Sequence, residues 1–398
     1  MSAGYLGLYA YAWDLADEGF ETVAGRVRDA GCNTVCLAAS YHAGKFVRPH
    51  GRSGKVYIPE DGTVYFRPRP DRYGRVRPQP NGMLAELDPL AELARAAPDL
   101  ERVAWLVCCH NTRLGELHPE LVARNCFGDA YPYSLCPAHP EVRDYVLALC
   151  RDVAEQHELQ AVVLETPGWL PYDHGWHHEF ALLALDEWVK VLLGLCFAPA
   201  SLDGARAAGI DAVRLQRQAA AWLEAWLGHE VAVDGEMARD WLLADLVADP
   251  EWVAFLGWRC RVVADLVREV REAVPRATEV RVIPSVQRPS ARGWIEGSDL
   301  RLLAAACDRL ELCAYEPSAA RVAADIFDVR RRVGEGARLN AILRPSHPDL
   351  AGGTETVAAA RALKAGGVEG LAFYNYGHLR LGALERVRAA TAAWGAPQ

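Results

Sequence analysis

Short apolar runs rich in β-branched and aromatic residues alternate with long amphipathic stretches along most of the chain. This alternation constrains the fold most, because strands separated by helical crossovers pair in parallel and bury both faces of their sheet. Eight candidate strands follow: Tyr5–Ala12, Thr34–Ala39, Val103–His110, Ala161–Thr166, Val280–Val286, Leu310–Glu316, Leu339–Leu343 and Leu371–Tyr376. Helical stretches are expected over 17–30, 84–97, 139–157, 178–197, 296–307, 319–333, 354–366 and 380–394. Asp14, Pro140 and Thr354 mark helix starts. Gly31 and Gly366-Gly367 mark stops before a strand. Eight βα units in this order predict an α/β chain, a closed (β/α)8 TIM barrel forming one domain over 1–398. A doubly wound sheet usually carries a Gly-rich phosphate turn after an early strand, and none is found here.

Two excursions interrupt the barrel. The first, 41–82, is the long loop between the second strand and its helix, with nine Lys or Arg against three acids. Val56-Tyr-Ile and Thr63-Val-Tyr-Phe, separated by Pro-Glu-Asp-Gly, predict a β-hairpin over the barrel mouth. The second, 200–275, lies between strands 4 and 5. It reads as a helical insertion over 203–227, 235–247 and 250–274, packed by Trp222, Trp226, Trp241, Trp252 and Trp258. Its last helix doubles as a barrel helix.

The 398 residues are 51% hydrophobic, enough for a large core, and the formal net charge of -9 argues against nucleic acid as a partner. The first residues read as a strand and not as a signal peptide. The most apolar run, around 189–200, is too short to span a membrane. The eleven cysteines include an adjacent Cys108-Cys109 pair and no zinc-finger spacing. They read as small buried hydrophobes of a cytoplasmic protein, with no cofactor or metal implied.

Catalytic groups in such a barrel gather at strand ends. Here these are Tyr11 and Trp13; Ser40, Tyr41 and His42; His110 and Asn111; Glu165; Gln287 and Arg288; Tyr315 and Glu316; Arg344; and Tyr374, Asn375, Tyr376 and His378. Aromatic faces suit the C–H ridges of sugars, and planar polar groups suit their hydroxyls. A carboxylate is costly to bury unpaired, so the glutamates that end Leu159-Gln-Ala-Val-Val-Leu-Glu and Leu310-Glu-Leu-Cys-Ala-Tyr-Glu need a reason. Two carboxyl groups at one barrel mouth would perform glycosidic acid/base or nucleophilic work. The other reading is that either glutamate simply pairs with an arginine such as Arg344. The segment Glu165-Thr-Pro-Gly-Trp-Leu-Pro-Tyr-Asp-His-Gly-Trp-His-His-Glu179 adds Trp169, His177 and His178 as substrate contacts. Asp173, His174, His177 and His178 are metal-capable residues but have no familiar ligand spacing. The basic 41–82 loop, with Tyr41, His42, Lys45 and Arg48 nearest the strand end, suits an anionic substrate. Otherwise it is a solvated face or a contact in a homo-oligomer.

Three stretches resemble glycoside-hydrolase-type TIM barrels. Leu135-Cys-Pro-Ala-His-Pro-Glu-Val-Arg-Asp-Tyr-Val is similar to their entry into the helix before strand 4. Trp258-Arg-Cys-Arg-Val-Val-Ala-Asp-Leu-Val-Arg-Glu-Val is similar to the helix before strand 5. Phe373-Tyr-Asn-Tyr-Gly is similar to the aromatic end of strand 8. The resemblance implies a catalytic carboxylate at the end of strand 4, which maps to Glu165, and in some families a second at the end of strand 6, which maps to Glu316. The chain departs from the commoner Asp-Gly-x-x-x-Asp strand pattern in having Glu-Thr-Pro there.

The leading expectation is a glycoside hydrolase cleaving a small oligosaccharide or glycoside. Glu165 would be the nucleophile and Glu316 the acid/base. A metal-dependent sugar isomerase or epimerase would draw ligands from Glu165, His110, His42 and Glu316, although strands 5 and 7 end in Gln287 and Arg344. A non-catalytic carbohydrate-binding barrel would hold the two glutamates apart or in salt bridges.

Overall fold

The computed structural model describes residues 4–174 and 180–396. Eight parallel strands close into a barrel: β1 (Leu6–Ala10), β2 (Thr34–Tyr41), β3 (Glu101–Val107), β4 (Ala161–Glu165), β5 (Glu279–Val282), β6 (Arg309–Cys313), β7 (Leu339–Leu343) and β8 (Gly370–Phe373). Each pairs with its neighbour in sequence, and β1 pairs with both β2 and β8, which removes every edge from the barrel itself.

The two-residue period of a strand sorts side chains between two cores. Leu8, Leu106, Leu164, Leu312 and Leu343 point outward and pack under the helices. Tyr9, Trp105, Val163, Ile283, Cys313, Ile342 and Ala372 point inward and fill the barrel. Deeper inside, Glu311 is fully buried. It accepts from Tyr5 Oη at 2.7 Å, Tyr9 Oη at 3.3 Å and Asn340 Nδ2 at 3.0 Å, with the Arg281 guanidinium 3.8 Å away. The donors and the cation compensate its burial.

The expected strands all form, but most end two to four residues early. Tyr11 caps helix Ala12–Glu18, and β5 and β6 stop at Val282 and Cys313 instead of Val286 and Glu316. The strand-like patterning there runs past the last ladder partner, so it reports which way a side chain faces more than it reports pairing. The expected helix over 178–197 is also corrected. In its described part, helix begins at Glu187, where the Asp186 side chain accepts from the Val189 N–H.

The hairpin expected in 41–82 does not form. Val56–Tyr57 pairs antiparallel with Phe46–Val47, whereas Thr63–Val64 pairs antiparallel with the end of β2 and parallel with Gln79–Pro80. The open end of β2 offers free backbone groups, and the returning chain takes them. Four of the nine Lys or Arg residues of this loop pair with acids. Arg48 is buried against Asp14 at 2.7 Å and Asp17 at 2.9 Å. Arg69, Arg72 and Arg75 pair with Asp152, Glu155 and Glu141 of helix Pro140–Gln156.

Between β4 and β5 lie helices Glu187–Gly194, Pro199–Ala207, Ala212–Leu227, Gly235–Ala248 and Pro250–Ala273. Trp188, Trp222, Trp241 and Trp252 pack against one another there. Helix Pro250–Ala273 packs on helices Pro140–Gln156 and Leu300–Ala306, as a barrel helix does. No single described helix is long and apolar enough to cross a membrane.

Candidate active site

The inward parity that places Ala161 and Val163 inside the barrel carries on to Glu165, the last residue of β4. Its carboxylate accepts the indole N–H of Trp105 from neighbouring β3 at 2.5 Å. Burial pushes its pKa from 4.5 up to about 7, against the smaller opposing effect of the Trp105 hydrogen bond. The next residue, Thr166, has φ +49°, an uncommon conformation for a β-branched side chain. The chain therefore turns sharply just past the carboxylate.

Glu165 opens into a cavity of about 290 Å³ lined by Tyr9, Tyr41, His42, Trp105, His174, Ile283, Val286, Cys313, Tyr315, Ile342, Arg344 and Tyr374. Tyr9 meets Trp105 edge-on with ring centres 5.3 Å apart. The Tyr11 hydroxyl lies 3.0 Å from that of Tyr41 and 2.8 Å from that of Tyr374, so three phenols share a hydrogen-bonded chain. Burial pushes the Tyr11 and Tyr41 phenols well up and Tyr374 to about 12, so all three stay neutral at physiological pH. His42 stacks on His110 with ring centres 3.9 Å apart, and His174 meets His110 edge-on at 5.5 Å. On the opposite strands, the Arg344 guanidinium lies 3.9 Å over the Tyr315 ring and 2.7 Å from Asp349.

The structure brings together Glu165, Tyr41, His42, Tyr315, Arg344 and Tyr374 of the residues expected at the site. Tyr11 and His110 stand directly behind this lining. Trp13 is buried in a stack with Tyr11 and Tyr57. Asn111 caps helix Thr112–Leu117, and Asn375 caps the turn Tyr376–His378. Tyr376 belongs to the outer core, its hydroxyl 2.9 Å from Glu18. Trp169 is buried beneath the Arg259 guanidinium, and the Gln287 N–H is spent on Ser285. None of these last residues lines the cavity. His177 and His178 lie outside the described residues.

Glu316 is the main correction. Inward parity on β6 runs through Glu311, Cys313 and Tyr315, so Glu316 faces outward. It is 1% exposed, accepts from Arg321 Nε of the following helix at 2.6 Å, and does not line the cavity. Among the described residues, Glu165 is the one carboxylate in the cavity lining, and no group of three or more His, Cys, Asp or Glu side chains is arranged to hold a metal ion.

Sequence reasoning missed Tyr9, Trp105, Cys313 and Ile342. Tyr9, Cys313 and Ile342 each precede an expected strand-end residue (Tyr11, Tyr315, Arg344) by two positions, so the strand period alone would have found them. It also missed Glu296, which no periodicity flags because it closes an irregular turn. This residue is 4% exposed and accepts from the Ser285 hydroxyl at 2.7 Å. Burial pushes its carboxyl up to about 8, and the nearby Glu165 adds to that rise.

No protein-family model matches the chain, and no curated protein matches it either. The fold has solved counterparts. The chain is similar to the glycoside hydrolase domain of PgaB (BpsB) from Bordetella bronchiseptica at 14% identity, with a TM-score of 0.61 and 98% of each chain covered. It is similar more distantly to an N-acetylglucosaminidase of glycoside hydrolase family 18 from Paenibacillus barengoltzii, at 11% identity and TM-score 0.44, covering 98% of this chain and 100% of that one. A chitinase from Chromobacterium violaceum ATCC 12472 gives 10% identity and TM-score 0.44, covering 97% and 99%.

Proposed function

We propose that this protein is a glycoside hydrolase acting on a small oligosaccharide or glycoside, with Glu165 as the general acid. The observation that carries the reading is a single buried carboxyl, with a pKa near 7, in an aromatic-lined cavity at the mouth of a (β/α)8 barrel. A carboxyl that keeps its proton near neutrality can donate it to a departing glycosidic oxygen. Tyr9, Tyr315 and Tyr374 offer faces and hydroxyls for a sugar ring. The likeness to the PgaB glycoside hydrolase domain supports this reading at the level of fold.

This role differs from the paired-glutamate expectation. The retaining mechanism needs a second enzyme carboxylate about 5 Å away, but Glu316 is turned outward to Arg321, and Glu296, though close enough for Glu165 to raise its pKa, is bonded to Ser285 and does not line the cavity. The cavity phenols are poor substitutes as nucleophiles, because burial disfavours their anions. The attacking oxygen is therefore assigned to water or to a carbonyl group of the substrate itself, and Glu165, ionised once it has protonated the leaving oxygen, takes up the proton that the water releases.

The test is release of 4-nitrophenol from a panel of α- and β-aryl glycosides. Wild-type protein is expected to cleave at least one member, and Glu165→Gln to lose that activity. Equal turnover by the two proteins would overturn the role of Glu165.

A further inference from the structure

Among the described residues lining the cavity, Arg344 at the end of β7 is the one Lys or Arg, and no Lys or Arg of the 41–82 loop belongs to that lining. Arg48, Arg69, Arg72 and Arg75 of that loop are all engaged with acids. Arg344 differs. Its Nε is 2.7 Å from Asp349, and its plane is pinned 3.9 Å over Tyr315. Its two terminal nitrogens carry no hydrogen bond among the described residues, although the side chain lines the cavity. Arg288 approaches the same Asp349 at 2.7 Å and also donates to the Tyr315 carbonyl at 2.8 Å. Two guanidiniums thus share one carboxylate. A guanidinium fork held flat by an aromatic ring, with its donors open, matches a planar or tetrahedral oxyanion.

We propose that Arg344 forms an anion subsite, and that the preferred substrate is a sugar carrying an anionic substituent, a carboxylate or a phosphate. The inference rests on the glycoside-hydrolase reading for its sugar, but its test does not require turnover.

The experiment measures binding of D-glucuronate, D-galacturonate, D-glucose 6-phosphate and D-glucose to the full chain by calorimetry or ligand-observed NMR, in wild type, Arg344→Gln and Arg344→Lys. At least one anionic sugar is expected to bind ten or more times tighter than glucose. The uronates and the sugar phosphate tell the two anion types apart. Arg344→Gln should lose about 10- to 100-fold of that affinity, a larger factor than it loses for glucose, as expected for a charged hydrogen bond. Arg344→Lys keeps the charge but not the fork, so it should retain the preference with reduced affinity. It also carries the test if the glutamine variant fails to fold.

Glucose binding as tightly as every anionic sugar overturns the subsite. So does no measurable binding of any anionic probe, or an anion preference that survives Arg344→Gln. Anion-selective binding without cleavage of any aryl glycoside keeps the subsite and counts against the hydrolase reading. Cleavage confined to neutral glycosides and indifferent to Arg344→Gln does the reverse.

Discussion

Glu165 and Glu316 look alike in the sequence, each closing an apolar run just before a proline-containing turn. They occupy opposite sides of the barrel wall. Glu165 shares the parity of Val163, faces inward and meets an indole N–H. Glu316 follows the inward Tyr315 by one residue, faces outward and meets Arg321. A shift of one position moves a side chain from one face to the other, so strand-end position alone does not make a catalytic residue. Partners decide the chemistry as well. A neutral N–H leaves Glu165 with most of its burial cost and hence a raised pKa, whereas Glu316 is matched by a guanidinium.

The largest expected effect separates the two directly. Glu165→Gln should reduce kcat by 10²-fold or more, as loss of a general acid does. Glu316→Gln should keep turnover within about twofold, and parallel kinetics on one aryl glycoside checks both. Below that comes a contrast with the other inward glutamate of the barrel strands, Glu311. Glu311→Gln strips the charge that faces Arg281, Tyr5, Tyr9 and Asn340, and should cost about 3 kcal/mol in denaturant unfolding.

The raised pKa of Glu165 also makes a stability prediction with a definite sign. The folded state holds the proton up to about 7, while the unfolded chain releases it near 4.5. Wild type therefore loses stability from this group as pH rises through that window, a contribution that Glu165→Gln lacks. The variant's advantage should grow by up to about 3 kcal/mol between pH 4.5 and 7, read from unfolding midpoints at each pH. The smallest expected effect is that of Glu316→Gln on stability, a loss of about 1 kcal/mol, because its partner Arg321 is 59% exposed and partly screened by water.

Much of the fold was legible because eight β-branched runs separated by amphipathic stretches admit few arrangements. The candidate cavity was legible in outline, since Tyr41, His42, Glu165, Tyr315, Arg344 and Tyr374 do converge on it. What escaped depended on parity or on tertiary partners. Glu316 was misjudged because its end-of-strand setting concealed its outward direction. The hairpin was misjudged because the free end of β2 competed for Thr63–Val64. Glu296 acquires its buried setting only when Ser285 and the turn Ser290–Glu296 come together, and that pairing leaves no mark in local patterning.

The proposed acid chemistry depends on the ionisation of Glu165, set by burial and moderated by Trp105. Its most direct test is the pH dependence of kcat/KM in wild type and Trp105→Phe. Activity should fall as pH rises through about 7, where the acid loses its proton. Removing the indole donor should move that limb to higher pH, because the hydrogen bond favours the ionised form. A flat profile between pH 5 and 9, or a limb that Trp105→Phe leaves in place, would contradict it.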